Sequence, residues 1–283
     1  MGIEDDKTVP VIRNHQKIND NSDAVFYFPG CGSERLFSQV GLATQAMLYE
    51  VGAITVLPPG YLCCGYPQTS SGNHDKGQEI TSDNRVQFHR VANTLNYLDI
   101  KTVIVSCGTC MDQLQKYEFE KIFPGCRLLD IHEYLMEKQI KMEGINGQHY
   151  MYHDPCHSPM KTYDSLDVTK TLMNKEVALN DRCCGESGTF AVSRPDVASQ
   201  VKMRKQEEIE KGIQAISATN KKEPVKILTS CPSCLQGLAR YGEDTNTTAD
   251  YIVVELAKNN LGEQWLEEYI EKATNGGIEK ILL

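Results

Sequence analysis

Ten of the chain's eleven cysteines follow one pattern, written twice. Cys31 is followed by the adjacent pair Cys63-Cys64 with Gly65 behind it, then by Cys107 and Cys110. Cys156 is followed by Cys183-Cys184 with Gly185, then by Cys231 and Cys234. The intervening stretches are 31, 42 and 2 residues in the first copy and 26, 46 and 2 in the second. Thiols in such numbers point to metal or redox chemistry. An odd total with no export signal argues against a disulfide framework. A structural zinc site takes four ligands at C-x₂₋₄-C spacing, which leaves a fifth cysteine idle. A cubane cluster draws four thiolates from compact runs, and no such run is present. A vicinal disulfide would be strained. Five thiolates suit a larger or more open cluster, in which adjacent cysteines reach two neighbouring irons and Gly65 lets the backbone pass close by.

Distant cysteines must be brought together by the fold. "DAVFYFPGC", "AITVLPP" and "KTVIVSC" read as buried strands, and the segments from Ser33 to Gly52 and from Gln78 to Leu98 read as helices, with Ser33 as an N-cap. "LLDIHEYLMEK" closes the first copy. "HYMYHDPC", a helix near 165–174, the long stretch from Cys183 to Ile213, "PVKILTSC" and "ADYIVVELAKNN" repeat the order. Alternating strands and helices predict α/β architecture: two duplicated Rossmann-like parallel-sheet domains with right-handed crossovers. Cys31, Cys107, Cys156 and Cys231 then lie just beyond strand ends, at the carboxyl edge where such sheets bind ligands. Helix N-termini that follow them favour thiolates. The expected units are an N-terminal arm or linker over 1–23 and cysteine-rich domains over 24–145 and 146–283.

A net charge of −9 speaks against a nucleic-acid surface. No apolar run is long enough to span a membrane. The expected location is cytoplasmic, with any membrane association made through partners.

The paired C…CCG…CxxC pattern resembles the CCG (cysteine-rich) domain family over about residues 24–260. That family includes the catalytic B subunit of heterodisulfide reductase and the iron–sulfur subunits of glycolate, lactate and glycerol-3-phosphate dehydrogenases. The resemblance implies two non-cubane [4Fe–4S] clusters. Cys31, Cys63, Cys64, Cys107 and Cys110 would hold one; Cys156, Cys183, Cys184, Cys231 and Cys234 would hold the other. Zinc in one half is the alternative. "FYFPGCGSERLFSQVGLATQAMLYEVGA", "DPCHSPMK" and "DRCCGESGTF" are most similar to the C-terminal module of FAD-linked D-lactate-type oxidoreductases. Flavin-binding sequence and ferredoxin-type cysteines are missing, so the chain is expected to be a separate subunit or a fragment that cannot oxidise a hydroxy acid alone. The implied function is electron transfer with disulfide reduction, in company with a flavoprotein or a ferredoxin-type iron–sulfur subunit. A small-molecule or protein-bound disulfide would be the substrate. The alternatives are an electron relay for a 2-hydroxy-acid dehydrogenase and a zinc-stabilised thiol scaffold.

Cys126 lies outside the repeat and reads as a core thiol. His153 and His157 flank Cys156 and could donate protons or tune a cluster; His74 and Lys161 are weaker candidates. Pro29-Gly30 and Asp154-Pro155 read as turn-formers, and the Asn246 sequon as accidental. "GESGTF" lacks a nucleotide-binding pattern. "KMRKQEEIEKG" reads as a solvated helix face.

Overall fold

The computed structural model describes residues 7–143, 147–186, 190–217 and 225–283. Ten strands run in chain order: β1 (Thr8–Ile12), β2 (Ala24–Phe28), β3 (Ile54–Val56), β4 (Thr102–Val105), β5 (Arg127–Asp130), β6 (His149–His153), β7 (Val177–Leu179), β8 (Val225–Thr229), β9 (Thr247–Tyr251) and β10 (Ile278–Leu282). They make a six-stranded sheet ordered β10-β1-β3-β2-β4-β5 and a four-stranded sheet ordered β7-β6-β8-β9. Strands β3-β2-β4-β5 are parallel throughout and repeat the order of the parallel second sheet. The duplicated α/β architecture is therefore present strand by strand.

Alternation along β2 sends Val25 and Tyr27 to one face and Phe26 and Phe28 to the other. The first face joins a core that also contains Tyr150 and Tyr152 of β6 and helices 38–50, 131–137 and 252–261, so one hydrophobic core serves both halves. Phe26 and Phe28 enter a separate aromatic cluster with Phe88, Tyr117, Phe119 and Phe123.

Both chain ends depart from the expected boundaries. Of the stretch expected to be an arm, residues 8–12 form β1, with Val9 and Val11 fully buried between β10 and β3; residues 1–6 lie outside the described residues. Strand β10, expected in the second unit, pairs antiparallel with β1 and so belongs to the first sheet. The helix at 265–272 likewise packs on the 38–50 helix of the first half. Ser33 is not an N-cap: the α-helix begins at Ser38, and the preceding turn at 32–36 is a wider π-type turn. Ser33 is instead fully buried, and its hydroxyl accepts from the Ser106 hydroxyl at 3.0 Å. Gly41 allows this, because a Cβ there would lie 2.4 Å from the Ser33 carbonyl oxygen.

Candidate metal centres

The two CCG turns fold alike. Gly65 and Gly185 adopt φ of +88° and +80°, a left-handed conformation that only glycine takes without strain. Each turns its amide back on the first cysteine of its pair: Gly65 N lies 3.5 Å from Cys63 Sγ, and Gly185 N lies 3.4 Å from Cys183 Sγ. Equivalent tyrosines hold the second cysteine of each pair. Tyr117 donates to the Cys64 carbonyl at 2.9 Å, and Tyr241 donates to the Cys184 carbonyl at 3.1 Å. Cys107 and Cys231 follow β4 and β8 and stand at the start of helices 108–114 and 232–239.

In the first half the five thiols perturb one another's titration in the order Cys31, Cys63, Cys64, Cys110, Cys107. Protons distribute unevenly among them. Cys31 holds the Cys63 thiol down at about 3, and Cys110 holds Cys107 at about 6. Cys31 and Cys110 are pushed up in return. Cys110 lowers Cys64, yet the adjoining Cys63 thiol and burial raise it to about 12. Gly30 makes the close approach possible, since a Cβ there would lie 2.6 Å from Cys110 Sγ.

In the second half Cys184 is the hub. Its neighbours Cys183 and then Cys234 hold its thiol low, while Cys183 and Cys234 are pushed up. Its sulfur is 3.4 Å from that of Cys234, whose thiol Cys231 also raises. Cys156 is exposed, and its field helps to raise Cys183. Cys184 and Cys234 are thus joined by a hydrogen bond, whereas Cys156 and Cys183 are exposed.

The histidines separate by role. His157 Nδ1 meets Asp112 at 2.5 Å, Lys161 meets the same carboxylate at 3.0 Å, and Tyr66 O–H lies 3.2 Å from His157 Nε2. Asp112 and Tyr66 belong to the first half, so this cluster clasps the halves together. His153 is buried, with a ring nitrogen within 4.8 Å of the Cys184 and Cys234 sulfurs. His74 is exposed at the start of helix 74–94 and joins neither centre.

Two features carry no plain sign in the sequence. Lys205, expected on a solvated face, is fully buried. Its Nζ is 3.0 Å from His153 Nδ1 and donates to the carbonyls of Asn180 (2.9 Å) and Asp181 (2.6 Å); burial pushes its pKa down to about 8. The available signal was its place in the stripe Ala198, Val201, Lys205, Ile209. The second feature is Tyr251, whose hydroxyl lies 2.6 Å from both Ser106 O and Ser230 O, the carbonyls just before Cys107 and Cys231. One buried proton is shared between the two strand ends.

The cysteine-rich (CCG) domain model matches residues 25–115 and 150–239. The chain belongs to this family. CCG matches cover both cysteine sets, and a domain of unknown function (DUF3400) matches residues 239–283. Among curated relatives, the B subunit of the fumarate reductase (CoM/CoB) of Methanothermobacter marburgensis is 27% identical over 220 residues, covering 74% of this chain and 40% of the relative. A probable glycolate oxidase iron-sulfur subunit of Bacillus subtilis is 26% identical, covering 75% and 48%. Lactate utilization protein A of an Exiguobacterium species is 23% identical, covering 62% and 77%. The chain spans less than half the length of the first two. A putative Asp/Glu racemase structure from Yersinia pestis is 9% identical, covers 88% of this chain and 99% of its own, and has a TM-score of 0.36, too slight a likeness to carry an argument. Among the described residues, no helix is long and apolar enough to cross a membrane.

Cys126 lies outside both thiol groups. It is half-buried against the aromatic cluster, and burial raises its thiol to about 11. Cys126→Ser is expected to leave bound metal unchanged, as read by iron and zinc analysis of the purified variant. Loss of one centre's worth of metal would show the ligand sets to be wrongly drawn.

Proposed function

We propose that the chain is an iron–sulfur component of a multi-subunit oxidoreductase. Cys31, Cys63, Cys64, Cys107 and Cys110 would hold one non-cubane [4Fe–4S] cluster, and Cys156, Cys183, Cys184, Cys231 and Cys234 a second. The observation that carries this reading is the pair of CCG turns built alike, each beside a cysteine that follows a strand and opens a helix. Five soft donors at the carboxyl edge of one sheet exceed the demand of a single tetrahedral ion and match that of several irons. Similarity to the probable glycolate oxidase iron-sulfur subunit supports it. When bound, such a group supplies one-electron transfer and an iron able to accept a substrate sulfur.

The finer reaction proposed is reduction of a disulfide by two electrons and two protons to two thiols. The electrons would come from a flavoprotein or ferredoxin-type partner. In this reaction the chain's own residues do two things. The glycine turns and tyrosine clamps hold the sulfurs in place, and the shared proton of Tyr251 joins the two strand ends. A zinc reading rests on one observation, the closeness of His153 to Cys184 and Cys234. It is weakened by Lys205, which occupies Nδ1 and leaves the ring's hydrogen on Nε2.

The test is iron, acid-labile sulfide and zinc per chain on anaerobically purified protein, with EPR of the oxidised and reduced forms. About eight irons with an equal amount of sulfide is the expected result for two four-iron clusters. One or two zincs without sulfide would overturn the reading.

A further inference from the structure

The two cysteine sets are copies, but their surroundings are not. Phe28, the last residue of β2, precedes Cys31 as His153, the last residue of β6, precedes Cys156. Phe28 is fully buried, its ring edge-on to Phe88 with centroids 6.0 Å apart. The same position in the second half carries an imidazole backed by a buried lysine.

The tautomer follows from donor chemistry. An ammonium has only hydrogens to offer, so His153 Nδ1 must present its lone pair to Lys205. Its longer 3.4 Å approach to Asn180 O involves an oxygen already taken by Lys205. The ring's hydrogen is therefore on Nε2, a buried atom with no hydrogen-bond partner, sulfur included, among the described residues. The Cys184 and Cys234 sulfurs lie within 4.8 Å of a ring nitrogen, close enough for this unspent N–H to bear on what they hold. Lys205 is itself locked by the Asn180 and Asp181 carbonyls, so turning the ring over would cost it a partner that cannot follow.

We propose that Lys205 and His153 form a fixed hydrogen-bond donor that draws electrons to the second half of the chain. An N–H near a thiolate, with a cation behind it, favours the more negative state of whatever that sulfur holds. The first half has an aromatic ring at that place and gains no such preference. An electron delivered to the chain settles in the second half, which is reduced as the donor is oxidised. Lys205 and His153 are positioning residues for this bias. The inference rests on the iron–sulfur reading above.

The experiment is a redox titration followed by EPR on the reconstituted full chain. Signals from the two halves are assigned with the single-half variants Cys64→Ser and Cys184→Ser. In His153→Phe, which copies the first half, the ratio of reduced second half to reduced first half should fall about tenfold or more, the size of one hydrogen bond to a charged group. Lys205→Met should move it the same way. His153→Gln keeps an N–H donor and should retain part of the bias. If Lys205→Met fails to fold, the two His153 variants decide. An unchanged ratio, an equal shift in both halves, or loss of second-half iron from His153→Phe would each overturn the proposal while the iron–sulfur reading stands. Wild-type protein without iron and sulfide would instead fell that reading, and this bias with it.

Discussion

Replacing Cys64 by serine is expected to remove about half of the bound iron and leave the second-half EPR signal in place. Cys184→Ser should do the reverse. Both residues sit at the middle of their sulfur groups. Cys64 feels both Cys63 and Cys110, and Cys184 feels both Cys183 and Cys234, with its sulfur 3.4 Å from that of Cys234. Both are buried, so a harder, shorter hydroxyl cannot be replaced by water as the fourth partner of an iron. The losses should be separate because each sulfur group is built on its own sheet. The route that joins the sites, the Tyr251 hydroxyl between Ser106 and Ser230, is left untouched by either change. Full retention of iron in both variants would sink the two ligand sets. Loss of all iron from either would show that the halves load as one unit.

That duplication was legible because it is written in cysteines, whose spacing survives loop insertions, and in short strands with uninterrupted apolar runs. The matching strand orders of the two sheets follow from it directly. The tyrosines that clamp each CCG turn were not legible. A tyrosine beside an aromatic cluster gives no sequence sign that its hydroxyl reaches a cysteine carbonyl. Strand β1 was hidden by Pro10, which lacks an amide hydrogen and argues against a central strand. The sheet accommodates it because Pro10 still accepts from Leu57 N at 2.9 Å and lies opposite Lys280 of β10. Lys205 was masked by its neighbours. A run of alternating charge describes a wet helix face for all but the one residue whose 3.6-residue phase turns it inward. Hydrophobic pattern thus located the walls of each centre, whereas the polar groups that shape its electrostatics appear only once the chain is folded. Gly188 of "GESGTF" lies outside the described residues.

The largest loss of stability is expected from Gly108→Ala. Gly108 follows Cys107 and opens the 108–114 helix of the first half. A Cβ there would lie 1.5 Å from the His157 carbonyl oxygen and 2.6 Å from its carbon, so backbone must move against backbone. Little room exists for that movement. His157 is tied to Asp112 of the same helix, and Lys161 holds the other oxygen of that carboxylate. Overpacking against such a fixed neighbour costs about 3 kcal/mol, which for a chain of this size lowers Tm by roughly 6–12 °C. Because Tyr27 and Tyr152 share one core across the halves, the melt should remain a single transition that moves as a whole. Gly262→Ala provides the comparison: its φ is +93° but a Cβ meets nothing within 4 Å, so only the backbone strain of about 1 kcal/mol is expected. Circular-dichroism melts of the metal-free variants measure both. If Gly108→Ala melted with Gly262→Ala or above it, the His157 turn would be free to retreat.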